Sequence, residues 1–241
     1  SLYNVGFTAG IVGMVVLGFL NAFGIEVETK ALANTESPFI LYGLLIGLCL
    51  ILLATSFYLH VQKKEKYHFK LLLKLSGRLP SDFVEMTNLA TVTFNMSIMG
   101  FILLGYVLIN GGQLNGPIVG SIIGAMSFGA FGNQVKNTVP VLVGIMIGCY
   151  LTGVDVASTS ALVAAIFGTT LAPVSGYYGP LAGVIAGFVH ITLVSHVVVM
   201  HGGLNLYNNG FAGGFVAAVL VPIFEIFEGI RQDIKERKAE G

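Results

Sequence analysis

Residues 38–60 read PFILYGLLIGLCLILLATSFYLH. The stretch holds no Asp, Glu, Lys or Arg, and at 1.5 Å of helical rise per residue it covers about 35 Å, enough to cross a hydrocarbon core of about 30 Å. Its apolar residues are continuous and do not alternate in period two, so it reads as a membrane-crossing helix and not as a barrel strand. The rest of the chain is built alike. Of 241 residues, 55% are apolar and 10% charged, and the mean hydropathy is +0.85. That leaves too few charges to clothe a soluble exterior. The sequence predicts an all-α fold, a polytopic transmembrane helical bundle whose first partner is the lipid bilayer.

The formal net charge is zero, which, with no extended basic patch, argues against a nucleic-acid partner. Cys49 and Cys149 fall inside apolar spans and read as small packing residues, not as a disulfide or a metal pair. There is no H-E-x-x-H, G-x-S-x-G, C-x-x-C or phosphate-binding loop, and no pair of intramembrane carboxylates. The expectation is a protein that is not an enzyme, with no cofactor and no metal.

Apolar runs and their punctuation give about eight spans: Gly6–Gly24, Pro38–His60, Phe83–Asn110, Pro117–Phe131, Val135–Leu151, Val156–Pro173, Pro180–Met200 and Gly210–Phe227. Pro117–Phe131 is short, at about 22 Å, and is open to a tilted, kinked or re-entrant reading. Half of all Lys and Arg lie between Gln62 and Leu79, as Lys63, Lys64, Lys66, Lys70, Lys74 and Arg78. The positive-inside rule puts that segment in the cytoplasm. Its Phe69, Leu72, Leu73 and Leu75 suggest an amphipathic helix on the membrane surface. Counting crossings onward puts Lys136 and the tail with Arg231, Lys235, Arg237 and Lys238 on the same side. The chain is therefore expected in the cell (inner) membrane with its C-terminus cytoplasmic.

One motif occurs twice. LYNVGFTAG at residues 2–10 and LYNNGFAGG at residues 206–214 share Leu, Tyr, Asn, Gly, Phe and Gly in register. If Pro117–Phe131 crosses, an odd number of crossings separates them, so the helices that follow run in opposite directions, as in inverted-topology repeats; if it is re-entrant, that parity fails. A repeat of about two hundred residues makes residues 1–26 the end of a preceding repeat. Residues 27–230 are then the second membrane repeat, with the amphipathic segment at 62–79, and residues 231–241 a cytoplasmic tail. The missing N-terminal half of the same protein becomes an expected partner, and the glycine faces leave homo-oligomerisation open.

Those faces are Gly116, Gly120 and Gly124 in GPIVGSIIG, Gly183 and Gly187 in GPLAGVIAG, and Gly210 and Gly214 in the second nonapeptide. Small residues four apart let helices approach closely. Asn208 or Asn209 can cap the following helix, and the first copy offers Asn4 in the equivalent place. At depth such a helix start holds a polar or anionic group; at the interface it is a plain cap beside Tyr207. FGNQVKNTVP and LAPVSGYYGP, the latter with Ser175, read as irregular backbone between spans, either ordinary turns or the lining of a vestibule. His190 lies in mid-span, and His201 is eleven residues on along the same helix face, about 16 Å away. That spacing suits a proton path or two packing histidines. Asn88 and Asn95 share a face of the third span.

LYNVGFTAG, FGNQVKNTVPVLVG, LAPVSGYYGPLAG and HGGLNLYNNGFAGG together resemble a family of bacterial and archaeal polytopic membrane proteins of unknown function. The resemblance implies a two-repeat architecture over essentially the whole chain and brings no substrate or catalytic residue. Two functions remain. One is a transporter or channel for a small polar solute, with a path lined by Asn4, Asn208, Asn209, Tyr207, Asn95, His190 and Ser175. The other is a scaffold or regulatory subunit packed through its glycine faces.

Overall fold

The computed structural model describes residues 5–27, 39–204 and 208–239. These form helices α1 (Val5–Ala22), α2 (Ile40–Gln62), α3 (Phe69–Leu72), α4 (Phe83–Met86), α5 (Leu89–Ile109), α6 (Gly116–Ser127), α7 (Val135–Thr152), α8 (Thr159–Gly168), α9 (Ala172–Tyr178), α10 (Pro180–Met200) and α11 (Asn208–Ala239). α1, α2, α5, α7, α8 with α9, α10 and the first part of α11 are seven helices long and apolar enough to cross a bilayer. α6 with its 3-10 turn, Gly116–Ala130, is the short eighth. Large apolar side chains such as Ile51, Phe57, Leu181 and Val199 stay exposed on the flanks, as a bundle solvated by lipid requires. The protein is a polytopic membrane helical bundle.

Polar side chains set the helix ends. Asn88 caps α5 by accepting from Thr91 N, and so divides the expected span Phe83–Asn110 into α4 and α5. Gln134 and Asn137 form a capping box at the start of α7, and Gly153 closes that helix at φ 71°. Asn115 accepts from Ile118 N at the head of α6 and donates to Thr159 Oγ1 at the head of α8 (2.8 Å), tying two helix starts together. Losing both bonds in Asn115→Ala is expected to cost about 1–2 kcal/mol, read as a lower midpoint in thermal unfolding of the purified protein.

The basic segment corrects one expectation: Gln62–Gly77 is not a continuous surface helix. Only Phe69–Leu72 is helical. Ala90 N donates to Glu65 Oε2, Asn88 Nδ2 to the Lys66 carbonyl and His68 N to Thr91 Oγ1. These bonds compete with helical ones and hold the segment against the start of α5. Leu72 and Phe83 then bury with Val92, and Phe69, Leu75 and Met96 pack around them.

Two hairpins stand side by side in the centre. α6 descends from Asn115 through a 3-10 turn (Phe128–Ala130), and α7 climbs back; α8 descends from Ser158 through a second 3-10 turn (Thr169–Leu171) into α9, and α10 climbs back. α7 and α10 are parallel and nearly touch backbone to backbone. A methyl group built on Gly144 would stand 2.0 Å from the Val184 carbonyl oxygen, and one on Gly187 2.1 Å from that of Val141. α2 packs antiparallel on α5, where Ser97 donates to the Cys49 carbonyl and Ser56 to that of Ala90. Ile118, Ile122, Ile145 and Leu162 fill the core between the hairpins.

Candidate functional site

The two nonapeptides meet. Matching Leu2 with Leu206 pairs Gly6 with Gly210, Phe7 with Phe211 and Gly10 with Gly214. In the fold, a methyl group on Gly6 would lie 2.7 Å from Gly210 Cα, and the Phe7 and Phe211 rings stack at 5.9 Å. A methyl on Gly10 would strike the Phe211 ring at 2.4 Å, and one on Gly214 would strike Phe7 Cβ at 2.5 Å. Each copy thus offers its last glycine to the other's phenylalanine, the reciprocity of a local two-fold contact. From the crossing the helices diverge. α1 runs toward the far end of α10, where Leu17 packs on Gly202. α11 runs toward the basic segment, where Glu225 meets Arg78 at 3.3 Å.

The crossing lies inside the bundle and not beyond its end. Asn209 stands beside His190, while Phe211 stacks edge-on with His201 at 5.9 Å. The first turn of α11 therefore lies alongside α10 between these two histidines, a stretch of about 16 Å. His190 is fully buried. Its ring fits where Gly168 and Gly213 lack side chains: a methyl on Gly168 would be 2.9 Å from Cδ2, and one on Gly213 4.0 Å from Nδ1. Neither ring nitrogen completes a hydrogen bond of good geometry, although Asn209 and the Ala164 carbonyl are alongside. The Oδ1 atoms of Asn208 and Asn209 are also buried without partners among the described residues, so neither acts as a cap on α11. Asn4 and Tyr207 lie outside the described residues.

A cavity of about 920 Å³ opens below the crossing. Gly6, Asn209, Gly210 and Gly213 form its head, Phe7, Phe128, Phe167 and Thr170 its walls, and Arg78, Tyr177 and Tyr178 its other end. There the Arg78 guanidinium lies 4.3 Å over the Tyr177 ring, and Tyr178 donates to the same Glu225 oxygen that pairs with Arg78. The pair is half exposed and adds at most about 1 kcal/mol to stability. Its interest is position: it puts the lining's charged group at the end nearer the basic segment.

The other expected residues distribute differently. Asn95 is not at the cavity; it donates to the Gly129 and Asn133 carbonyls beneath the α6–α7 tip. Asn88 is spent as a cap. Ser175 is buried against Gly183, where a methyl group would come within 2.5 Å of Ser175 Cβ. LAPVSGYYGP is helical as α9 from Ala172 to Tyr178 and is not irregular backbone. FGNQVKNTVP is non-helical only at its tip, which Ser76 and Gly77 cover: Asn137 Nδ2 donates to the Ser76 carbonyl, and Gly77, at φ 77°, abuts the Gly132 carbonyl. Between His190 and His201, α10 packs Leu193, Val194 and Val197 toward Phe211, which puts apolar side chains along the line of a proton path. Gly183, Gly187, Gly210 and Gly214 sit at close contacts, whereas Gly120 faces open space and Gly124 meets only Phe167 at 3.4 Å. Arg78, Thr170 and Tyr177 escape a sequence reading, because an arginine in a basic run, a threonine in an apolar span and an interfacial tyrosine carry no local signature.

A family profile described as "Protein of unknown function (DUF1576)" matches residues 61–226. No curated protein and no solved structure matches the chain.

Proposed function

We propose that this chain, which belongs to the DUF1576 family of proteins of unknown function, is a transporter or channel for a small polar solute, with the path beginning where its two nonapeptides cross. The observation that carries the reading is the reciprocal crossing of α1 and α11 at the head of a sizeable cavity, beside a buried histidine and two asparagine oxygens without partners among the described residues. Helix starts that meet inside a bundle and diverge to opposite faces are how inverted repeats build a solute site. A scaffold needs close glycine contacts but no cavity at their junction. In this reading the basic segment and the end of α11 face the cytoplasm, the membrane is the cell membrane, and the repeated motif is an inverted one. The solute is uncharged or weakly ionised, held by Asn209 and Asn208 with the polar edge of Thr170.

The test uses Thr170→Cys in a Cys49→Ala, Cys149→Ala background, reconstituted in liposomes. A membrane-impermeant thiosulfonate is expected to label Thr170→Cys, because a solute path is hydrated. Liposome swelling with a panel of small polar solutes is expected to exceed that of protein-free vesicles and to fall after labelling. An unreactive cysteine together with swelling equal to empty vesicles would return the scaffold reading.

A further inference from the structure

One side of α1 is left uncovered by the described residues, and its counterpart on α11 shows what covers such a side. Carrying the register of Leu2 on Leu206 along both helices pairs Thr8 with Ala212, Val12 with Val216 and Val16 with Leu220. On α11 this stripe is inside the bundle. Ala212 is 0% and Val216 1% exposed, and Leu220 packs on the core. The helices that cover it are α8, with the 3-10 turn that follows, and α10. On α1 the same stripe is bare: Thr8 is exposed, and Val12 and Val16 are 56% and 43% exposed. The neighbouring stripe behaves alike on the two helices. Ile11, Val15 and Phe19 are exposed, and so are their counterparts Phe215, Val219 and Ile223, as residues facing lipid are.

The bare stripe is not shaped for lipid. It lines a groove of about 820 Å³ with Ala9 and Gly13, and Leu204 stands at its edge. Small residues four apart beside a threonine hydroxyl are what a membrane helix presents to another helix. Val5, Ala9 and Gly13 in the groove are the counterparts of Asn209, Gly213 and Ala217, which line the cavity below the crossing. The groove is therefore one wall of a space whose opposite wall, at α11, comes from the α8–α10 hairpin. The local two-fold that exchanges α1 and α11 carries that hairpin onto the groove. A second copy of this chain cannot supply it, because its own α11 already covers its α8 and α10. At α11 the hairpin is joined just ahead of the nonapeptide, α10 ending at Met200 and α11 beginning at Asn208. We infer that a second set of hairpins, built like α7–α10 and joined ahead of the first nonapeptide in the same polypeptide, packs on Thr8, Val12 and Val16 of α1.

The inference makes no use of solute transport and shares with the proposed function only the two-fold relation of the motifs. It is tested on the protein expressed from its complete gene in its own membrane. A benzophenone amino acid replaces Val12, Val16, Ile11 or Val15 in turn, and the adducts formed on irradiation are mapped by mass spectrometry. Val12 and Val16 are expected to join, within one polypeptide, to peptides that precede Ser1, several-fold more often than Ile11 and Val15, which should take lipid. Tryptophan gives a second reading that needs no adduct. Val12→Trp should lower the thermal midpoint by several degrees, because an occupied groove has no room for it, whereas Val15→Trp should leave the midpoint where it is. Lipid adducts as frequent at Val12 and Val16 as at the two controls overturn the inference. So do adducts that join two copies of the chain or reach a different protein, and so does equal tolerance of the two tryptophans. Liposome swelling without the adducts would leave transport standing and remove this surface; the adducts without swelling would do the reverse.

Discussion

Gly144→Ala and Gly187→Ala are each expected to leave little folded protein. The added methyl would stand 2.0 Å from the Val184 carbonyl oxygen in the first case and 2.1 Å from that of Val141 in the second. Both obstacles are backbone atoms in helix interiors, so no side chain can rotate out of the way. Relief requires α7 and α10 to separate along their whole length. Overpacking a core costs about 1–3 kcal/mol when side chains can adjust, and here they cannot, so the cost lies at or above the top of that range. In lipid the approach of two helices rests on van der Waals contact and weak Cα–H···O bonds, and both vanish as the helices part. The measurement is the fraction of monodisperse protein after extraction, with its thermal midpoint. Gly120→Ala is the matched control: the same substitution, with no heavy atom within 4 Å of the new methyl. Replacing glycine in a helix there should be neutral or stabilising by up to about 1 kcal/mol. Because Gly144 and Gly187 share one interface, their double variant should cost less than the sum of the two.

Gly214→Ala is expected to destabilise strongly and to be rescued by Phe7→Gly. The new methyl would meet Phe7 Cβ at 2.5 Å, and replacing Phe7 by glycine removes that Cβ together with the ring while leaving the crossing itself. The reciprocal pair, Gly10→Ala with Phe211→Gly, should behave in the same way, since a methyl on Gly10 would meet the Phe211 side chain at 2.4 Å. Crossed combinations, such as Gly214→Ala with Phe211→Gly, should show no rescue. Coupling of about 1–3 kcal/mol within the matched pairs, and little across them, is the signature of two copies of one motif packed about a local two-fold. Four thermal-unfolding series decide it. Equal rescue by either phenylalanine would mean that the cavity merely relaxes and the motifs are not reciprocal partners.

Much of the fold was legible because a membrane asks for length and hydropathy, and both are local. Residues 38–60 and 180–200 show their helices on sight. The break at Thr87–Asn88 was not legible, since Asn88 acts as a cap only when the Lys66 carbonyl takes its amide. The basic segment failed for a related reason: its lysines and leucines have an amphipathic spacing, but Ala90 N and Thr91, distant in sequence, take the bonds a helix would need. Glycine spacing in GPIVGSIIG and GPLAGVIAG is identical, yet only the second has a neighbour pressed against it. Spacing says that a helix can be approached, not that another helix is there. At the candidate site, the repetition of the nonapeptide was plain, while the contact between its copies closes across about two hundred residues and leaves no local trace.

That contact also bears on biogenesis. α1 rests chiefly on α11, through Gly6, Phe7 and Gly10. The ribosome makes α1 about two hundred residues before the helix it needs. In the interval the notch around Gly6 and Gly10 faces lipid or a borrowed surface, while the central hairpins can assemble from neighbours in sequence. Docking of α1 on α11 thus waits until the chain has been made as far as Gly214. A translation product halted before Asn208 carries that notch without the helix that fills it.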